Sequence, residues 1–441
     1  MKPTLDVARR LLAELGDPQR RSPSIHITGS KGKGSVATMS EAILRAHGRR
    51  TGLFTSPHLV SYRERMRVNG VPIPPEEVVR GLRRIEEVAD RLERSGEIDR
   101  SPTFFEITTA LAFDWFRREN VDALVVEVGI GGRWDATNLL ASRVGVVTTL
   151  ELEHVKILGS TIAAIAGEKS GIFHAGMHGI LGELPDEGRA VLDAVAGSLG
   201  VPLWHLGQEI VVRSRRWTRA HQEVQVAWPG RDSLPVRLRL EGDFQPKNAA
   251  LALAATYRFL ERDTEGPAWS ATRVRSALAR LKIPGRMEPV ERDPPTYFDV
   301  AHTPESARAV ARSLAEVLPL RDPAESVIVF GCLRDKPVRE ILDGLSPVAR
   351  TIVLVPVRSE RGVAPSELRA IALGRFPKVV VAPSAIEGYR RARAATGGHG
   401  LLLAIGSDYL IGELKRELEG VPSDEPDLSD PGRMGSPGPV K

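Results

Sequence analysis

The 441-residue sequence lacks the features that mark several protein classes. Its single cysteine, Cys332, excludes a disulfide within the chain and fits a reducing compartment. Aromatic residues make up only 5% of the chain, and Lys and Arg (61) barely outnumber Asp and Glu (56). Nucleic-acid binders usually carry a concentrated basic surface with interleaved aromatics, so this composition argues against such a partner. The absence of a signal peptide and of long apolar runs predicts a cytoplasmic protein with no membrane span.

Short apolar strands alternate with helical patterns, which predicts an α/β fold with a parallel sheet covered on both faces. We expect a P-loop-type, mostly parallel sheet domain over 1–285, with a small antiparallel insertion at 182–240. A linker at 284–295 leads to a smaller Rossmann-like α/β domain over 286–420. The tail at 421–441 is rich in Pro, Ser, Asp and Gly, which predicts disorder. The predicted strands span 24–28, 123–128, 144–150, 297–300, 326–330, 351–355, 378–381 and 401–405, and the clearest helices span 1–21, 36–47 and 248–260.

The first predicted strand is followed by a glycine-rich segment and then by a helix. The segment, GSKGKGS, comprises Gly29, Ser30, Lys31, Gly32, Lys33, Gly34 and Ser35. Glycines let backbone N–H groups approach phosphate oxygens, the helix N-terminus adds a favourable dipole, and Lys33 can neutralise phosphate charge. The spacing differs from a Walker A motif because Gly34 separates Lys33 from Ser35. A glycine-rich helix start with a surface lysine is the alternative, but the flanking strand and helix favour a nucleotide site.

Three ionisable residues further along the chain each allow two interpretations. Glu127 closes an apolar strand, where a carboxylate can hold Mg²⁺ through oxygen or form an ordinary ion pair. His154 is either a metal ligand or a structural histidine. Lys169 lies near the end of a helix that Gly171 closes, where a lysine usually complements the helix dipole. The polar, glycine-rich segment 129–138 predicts a loop over an active site.

A series of motifs in this order resembles the folylpolyglutamate synthase/dihydrofolate synthase family of the Mur ligase superfamily. The resemblance covers about residues 25–414, nearly the whole chain. Each motif alone is weak, and their number, order and spacing carry the assignment. The motifs are GSKGKGS (29–35), TSPHL (55–59), ERMRVNG (64–70), PTFFE (102–106), EVGIGGRWDATN (127–138), EHVKILG (153–159), EKSGI (168–172), FQPKNAA (244–250), PGRME (284–288) and DVAHTP (299–304).

The resemblance implies an ATP site with two Mg²⁺ ions. The glycine-rich loop would hold the phosphates, helped by Arg286, and the nucleotide-binding positions are matched by Asn248 and Asp299. The metal ligands of the family are matched by Ser56, Glu127 and His154. Lys169 matches a lysine that the family carbamylates, and Lys33, His154 and Lys169 are the implied catalytic residues.

The resemblance also implies two substrate sites and a reaction. The pterin site is matched by Thr103, Phe104, Phe105, Glu106, Trp134, Asp135 and Ala136. The glutamate site is matched by His302 and Ser407. ATP would convert a carboxylate of the folate into an acyl phosphate, which the amine of glutamate then attacks. We expect a monomer whose partners are these small molecules.

Three departures from the family pattern bear on substrate choice. The chain begins close to the glycine-rich loop, without the N-terminal pterin loop that members usually carry, so dihydropteroate is expected to be a poor substrate. Ser30-Lys31 replaces a Thr-Asn pair, and Glu153 and Thr303 stand where Asp and Asn are commoner. Two alternatives therefore stay open: a Mur-type ligase for another acid, and a catalytically silent nucleotide-binding protein.

Overall fold

Two large β-sheets, one in each half of the chain, organise the fold, and a third, small sheet lies beside the first. The computed structural model describes residues 4–218, 221–262 and 268–421. All of the tail predicted at 421–441 except Val421 lies outside the described residues. Within the described part of the chain, none of the helices combines the length and apolar character needed to cross a bilayer.

The first sheet has eight strands and is parallel except at one edge. Its strands are β1 (Ser24–Thr28), β2 (Thr51–Phe54), β3 (Met66–Val68), β4 (Val71–Pro72), β5 (Ala123–Glu127), β6 (Ser142–Val147), β7 (His178–Leu181) and β8 (Leu203–His205). Their order is β4-β3-β2-β5-β1-β6-β7-β8, with β3 antiparallel to both β2 and β4. Every residue of β1 and β5 is buried, as expected for central strands covered on both faces. The parallel sheet predicted from the apolar runs is thus confirmed.

Helices cover both faces of this sheet. They are α1 (Asp6–Glu14), α2 (Lys33–Ala46), α3 (Pro75–Ser95), α4 (Phe104–Arg118), α5 (Val155–Leu158), α6 (Ile162–Lys169), α7 (Asp186–Leu199), α8 (Gln245–Glu261) and α9 (Ala271–Arg280). Single 3₁₀ turns occur at Pro18–Arg20, Tyr62–Arg65, Ala136–Leu139 and Ser170–Ile172. The single helix predicted over 1–21 is therefore two elements in the structure, α1 and the 3₁₀ turn at Pro18–Arg20. Asp17, whose backbone is left-handed (φ 49°), separates them.

The small antiparallel sheet is shorter than predicted. It consists of β9 (Val211–Trp217), β10 (Gln222–Trp228) and β11 (Arg231–Leu238), in the order β11-β10-β9. The prediction of an insertion over 182–240 was wrong at its start, because α7 and β8 belong to the first sheet and its helical layer. Strand β8 has only three residues, which are too few to show the alternation of apolar and polar residues that is typical of a strand.

The second domain contains a six-stranded sheet. Its strands are β12 (Glu288–Arg292), β13 (Pro295–Asp299), β14 (Val327–Phe330), β15 (Thr351–Leu354), β16 (Lys378–Val381) and β17 (Leu402–Ile405). Its helices are α10 (Pro304–Val317), α11 (Val338–Leu345), α12 (Pro365–Ala372), α13 (Ala385–Ala395) and α14 (Asp408–Glu419). The strand order is β12-β13-β17-β14-β15-β16, and all strands but β12 are parallel. The linker predicted at 284–295 was therefore wrong in part, because it contains β12. This antiparallel edge strand has a proline and three charged residues among its five, a composition that is not typical of a strand.

Candidate active site

A cavity of about 80 Å³ lies between the two large sheets. Thr55 and Ser56 reach it from the end of β2, and Glu127 from the end of β5. Val300 reaches it from the end of β13, and Asp408 follows β17. Ligands of open α/β sheets bind beyond the carboxyl ends of the strands, and here both sheets direct those ends at one cleft.

The glycine-rich loop borders this cleft and requires glycine at two positions. Gly29 has φ 140°, and a Cβ there would lie 2.0 Å from the Thr148 hydroxyl. Gly32 has φ 83° and precedes α2, and a Cβ there would lie 2.6 Å from the Asn248 side-chain oxygen. Any side chain would displace the loop, so the glycines let its backbone pack against β6 and α8. Asn248, predicted at the nucleotide, thus lies directly against the loop.

Backbone contacts fix the loop, and its lysine folds back over it. The Ser30 N–H donates to the Thr149 carbonyl at 2.9 Å, and the Lys31 N–H donates to the Thr149 hydroxyl at 2.8 Å. The Lys33 ammonium donates to the Gly29 carbonyl at 2.8 Å. The first-turn N–H groups of α2, which include those of Lys33 and Ser35, have no acceptor within the helix. A helix start with such unpaired N–H groups is able to bind an anion.

Glu127 is a buried carboxylate beside this helix start. It pairs with Ile27 in the register of β5 and β1, is 4% exposed, and its Oε2 accepts the Ser56 N–H at 3.1 Å. A Cβ on Gly34 would lie 3.4 Å from the same oxygen. Burial raises the pKa of Glu127, and the charges of Lys33, Arg286 and Arg65 oppose that rise. Because Mg²⁺ prefers oxygen ligands, the Glu127 carboxylate and the Ser56 hydroxyl fit such an ion.

His154, the third predicted metal ligand, is not bonded to these two residues. It lies on an exposed segment before α5, in a left-handed conformation with φ 48°. No group of three or more His, Cys, Asp or Glu side chains within the described residues is placed to hold a metal. A cation at Glu127 would therefore need further oxygens from hydroxyls, phosphates or water.

Two lysines meet one carboxylate on the other side of the loop. Glu153 Oε1 lies 3.2 Å from Lys169 Nζ, and its Oε2 lies 4.0 Å from Lys31 Nζ. Burial opposes ionisation of Glu153, but Lys33, Lys169 and Lys31 together hold its pKa below the ordinary value. Burial, with the nearby charge of Lys33, lowers the pKa of Lys169 to about 8. An appreciable fraction of Lys169 is then a neutral, nucleophilic amine near pH 7.

Asp299 shapes the opposite wall of the cleft. It is 3% exposed and accepts the N–H groups of Met287 and Ala301, both at 2.7 Å. Burial raises the pKa of Asp299 to about 6, although Arg286 favours its ionised form. These bonds fix the turn that carries Arg286, which lines the cavity with Glu127.

A second cavity of about 270 Å³ adjoins the first at Asp408 and enters the second domain. His302 and Ser407, both predicted for the glutamate site, line it. The His302 Nδ1–H donates to the Val300 carbonyl at 2.9 Å, which leaves Nε2 as an acceptor. Ser407 caps α14, its hydroxyl accepting the Tyr409 N–H at 3.0 Å.

Five further cations line this cavity, and the sequence analysis named none of them as a site residue. They are Arg65, Lys336, Arg358, Arg361 and Arg416. These residues are spread from position 65 to position 416, so only the fold brings them together. The one available signal was the position of Arg65 within the ERMRVNG motif. Two carboxylates, Asp408 and Glu413, line the same cavity, and Arg358 lies 3.3 Å from Glu413. Lys336 and Arg361 both pair with Asp335, at 3.1 and 2.9 Å. The cations still outnumber the carboxylates, which favours an anionic ligand.

Comparison with known proteins identifies the family. Residues 27–256 match the family described as Mur ligase middle domain, and residues 285–407 match Mur ligase, glutamate ligase domain. A Mycobacterium tuberculosis protein named dihydrofolate synthase/folylpolyglutamate synthase is 36% identical over 389 residues, covering 85% of this chain and 78% of that protein. A Bacillus subtilis protein of the same name is 30% identical over 430 residues, which cover 95% of this chain and 96% of that protein. The chain belongs to the folylpolyglutamate synthase/dihydrofolate synthase family.

A solved structure extends this likeness to three dimensions. The M. tuberculosis folylpolyglutamate synthase complexed with ADP and AMPPCP has a TM-score of 0.86 and 33% identity, and the match covers 96% of both chains. The α/β fold and the membership of this ligase family, both predicted from the motifs, are confirmed. The chain is an ATP-dependent ligase that joins an acid to an amino acid.

The residues matched to the family's pterin site differ in how accessible they are. Thr103 and Glu106 form a capping box at the start of α4, and Arg100 binds both Glu106 oxygens at 2.8 and 2.9 Å. Phe105 packs against Gly129, and Phe104 lies under the Arg65 guanidinium, 5.4 Å from ring centroid to Cζ. Thr103 is exposed, Phe104 and Phe105 are half-buried, and Glu106 is buried.

The predicted pterin-site residues in the loop after β5 also differ in how exposed they are. Asp135 accepts the N–H groups of Gly129 at 3.0 Å, Ile130 at 3.2 Å and Thr137 at 3.0 Å, so its carboxylate shapes the loop. Ala136 is buried, whereas Trp134 is 47% exposed. Trp134 is therefore the exposed member of this group.

Proposed function

We propose that this chain adds L-glutamate to the carboxylate of a reduced folate, with ATP as the energy source. The observation that carries the proposal is the junction of the two cavities at Asp408. One cavity holds Glu127 beside the glycine-rich loop, and the other presents its cations from both domains. The arrangement supports an ATP-binding domain over 1–285 and an amino-acid-binding domain over 286–420. The names of the relatives support folate and glutamate as substrates.

In the first step, a carboxylate oxygen of the folate attacks the γ-phosphorus of ATP. A new oxygen–phosphorus bond forms, the bond to the β–γ bridging oxygen breaks, and the products are an acyl phosphate and ADP. Both reactants are anions, so the step needs positive charge on each side of the phosphoryl group. Lys33 provides it from the loop and Arg286 from the opposite wall, next to the first-turn N–H groups of α2.

In the second step, the neutral amine of glutamate attacks the acyl carbon, and inorganic phosphate leaves with one oxygen of the original carboxylate. The amine must give up a proton, and the free Nε2 of His302 in the second cavity is a suitable acceptor. Arg65, Lys336 and Arg361 would hold the carboxylates of glutamate. Water must be excluded, because it would hydrolyse the acyl phosphate, and a site enclosed by two domains supports that exclusion.

Mg²⁺ and a carbamylated lysine complete the proposal. Ser56 and Glu127 would hold Mg²⁺, with His154 as the third ligand that the family resemblance implies, and the ion would supply positive charge to neutralise the phosphates. Lys169 would carry a carbamate that helps to hold a second ion. Its neutral amine fraction and its burial beside the loop support this role. We further propose that the protein is cytoplasmic, because its one cysteine is buried and unpaired, as in reducing compartments. The proposal also includes a monomeric state.

The test is a product assay with purified protein, ATP and Mg²⁺. Tetrahydrofolate, dihydropteroate and an unrelated carboxylic acid are offered in turn, each with a panel of amino acids. We expect ADP release only when tetrahydrofolate and glutamate are both present, and a product heavier by one glutamyl residue. Dihydropteroate is included because we expect it to be a poor substrate. Two relatives are also named dihydrofolate synthase, so this expectation needs its own measurement. ATP turnover with another acid, and none with folates, would contradict the proposal.

A further inference from the structure

Four carboxylates line the two cavities of the cleft, and they differ in whether the protein itself binds them. Glu64 accepts three backbone N–H groups, at 2.9 to 3.0 Å. Glu127 accepts one, at 3.1 Å, and Glu413 lies 3.3 Å from Arg358. Asp408 is the fourth, and none of the residues that the structure describes donates a hydrogen bond to its carboxylate or forms an ion pair with it. It is therefore the carboxylate of the cleft that is left to bind a ligand.

Asp408 lies where the two cavities meet. It is the first residue of α14 and is half-buried. The cavities share three lining residues, and the other two, Pro57 and Leu59, are apolar. Among the described residues, Asp408 is thus the one charged group that lines both the cavity beside the glycine-rich loop and the cavity lined by cations.

The proposed reaction brings the amine of the amino acid to this junction. The acyl phosphate forms in the first cavity, which Arg286 lines, whereas the cations of the second cavity hold the carboxylates of the amino acid. The amine has to reach from one cavity towards the other to attack the acyl carbon. At neutral pH it arrives as an ammonium group, because the pKa of an α-amino group is about 8. A carboxylate with free lone pairs is a strong acceptor for the N–H groups of such a cation.

His302 lies close enough to Asp408 for their charges to interact. Burial lowers the pKa of His302, and the negative charge of Asp408 opposes that change. The same carboxylate would therefore stabilise the imidazolium that forms when Nε2 takes a proton from the ammonium group. The two residues would act in turn: Asp408 receives the ammonium group, His302 removes its proton, and the neutral amine attacks.

We propose that Asp408 binds the ammonium group of the incoming amino acid and holds it at the junction of the two cavities. The inference rests on the proposed function, to which it adds the residue that recognises the nucleophile. The ordinary role of an acidic residue in the first turn of a helix is to complement the helix dipole. That role affects the stability of α14 and has no effect on the recognition of an ammonium group, so the two roles predict different results.

The experiment compares two ligands of the second cavity that differ only in the ammonium group. The KM for glutamate, the KM for ATP and the competitive inhibition constant of glutarate, which is glutamate without its amino group, are measured with tetrahydrofolate as acceptor. The proteins compared are the wild type, Asp408→Asn, Asp408→Glu and Glu305→Gln. Glu305 is the matched control, because it is an acidic residue in the first turn of α10 whose side chain is 54% exposed and lies outside both cavities. Thermal unfolding of each variant checks that the fold is kept.

We expect Asp408→Asn to raise the KM for glutamate about tenfold to a hundredfold, which is the usual effect of losing one hydrogen bond between charged groups. The KM for ATP and the inhibition by glutarate should stay near the wild-type values, because neither ligand has an ammonium group to lose. Asp408→Glu keeps the charge and should recover part of the affinity for glutamate. Glu305→Gln should behave like the wild type.

Three results would overturn the inference alone. One is an unchanged KM for glutamate in Asp408→Asn, and another is an equal weakening of glutamate and glutarate, which would indicate general damage to the cavity. The third is a matching rise in the KM for ATP, which would assign Asp408 to the phosphate site. A wild type that forms no glutamyl product would overturn both the inference and the proposed function.

Discussion

Replacement of Glu127 by Gln separates the catalytic role of this residue from its effect on stability. Glutamine has nearly the same shape, and its side-chain oxygen can still accept the Ser56 N–H at the observed 3.1 Å. What the variant lacks is a negative charge in a side chain that is 4% exposed. The expected result is a large loss of activity with no loss of stability.

The stability effect follows from the desolvation of the charge. Burial raises the pKa of Glu127, so the folded protein holds its proton more firmly than the unfolded chain does. Stability from such a group is present at low pH and is lost as pH rises from the unfolded pKa through the folded pKa. Glutamine removes this loss, so without Mg²⁺ the free energy of unfolding of the variant should rise relative to that of the wild type as the pH increases above the ordinary glutamate pKa of 4.5. At neutral pH we expect its free energy of unfolding to be within about 1 kcal/mol of the wild type, or higher.

The activity effect follows from charge balance in the cleft. Removing one preorganised group that stabilises a transition state typically costs about 3–4 kcal/mol, or roughly a hundredfold to a thousandfold in kcat. ADP release is measured with saturating folate and glutamate while Mg²⁺ is titrated, and thermal unfolding is measured in EDTA. Glu241→Gln is a matched control, because burial raises the pKa of Glu241 to about 7 and it lies outside the cleft cavities. We expect near-normal activity from this control. Near-normal turnover and unchanged Mg²⁺ dependence in Glu127→Gln would refute the role assigned to Glu127.

Three further variants test the remaining site residues. Lys33→Ala should lower kcat roughly a hundredfold, about 3 kcal/mol, while circular dichroism shows an intact fold; turnover close to wild type would remove Lys33 from the phosphate site. His154→Ala should weaken the apparent Mg²⁺ affinity in a titration of activity, and an unchanged affinity would show that it is no ligand. Lys169→Ala should lose most activity and regain part of it with short carboxylic acids, and full activity in CO₂-free buffer would make the lysine structural. In the wild type, carbamate formation at low CO₂ should quicken as pH rises and level off above about pH 8, because burial lowers the pKa of Lys169 to that value and only the neutral amine reacts.

The elements that position the phosphates could be predicted because their signals are local. Strand β1 places Ile25 and Ile27 alternately with polar residues and leads directly into the glycine-rich loop. Gly29 and Gly32 in that loop adopt backbone conformations that favour glycine. The position of Glu127 could be predicted for the same reason, since a carboxylate that closes a buried strand must lie at the carboxyl edge of the sheet. Such features depend on neighbours in sequence.

Other features could not be predicted, because they depend on partners far apart in the chain. The cations of the second cavity come from both domains, and each alone resembles a solvated surface residue. Glu106 and Asp135 lie in motifs that the family resemblance assigns to the pterin site. In the structure, Arg100 binds the Glu106 carboxylate and backbone N–H groups bind that of Asp135. Strand β12 was missed because an edge strand needs only one partner and tolerates proline and charge.

The most direct test of the central claim follows oxygen from the folate to phosphate. Tetrahydrofolate labelled with ¹⁸O in its terminal carboxylate is incubated with the protein, ATP, Mg²⁺ and glutamate, and the inorganic phosphate released is analysed by mass spectrometry. An acyl phosphate intermediate transfers one labelled oxygen to phosphate for each amide bond formed, and we predict this ratio. Phosphate that carries no label while the glutamyl product accumulates would contradict the account.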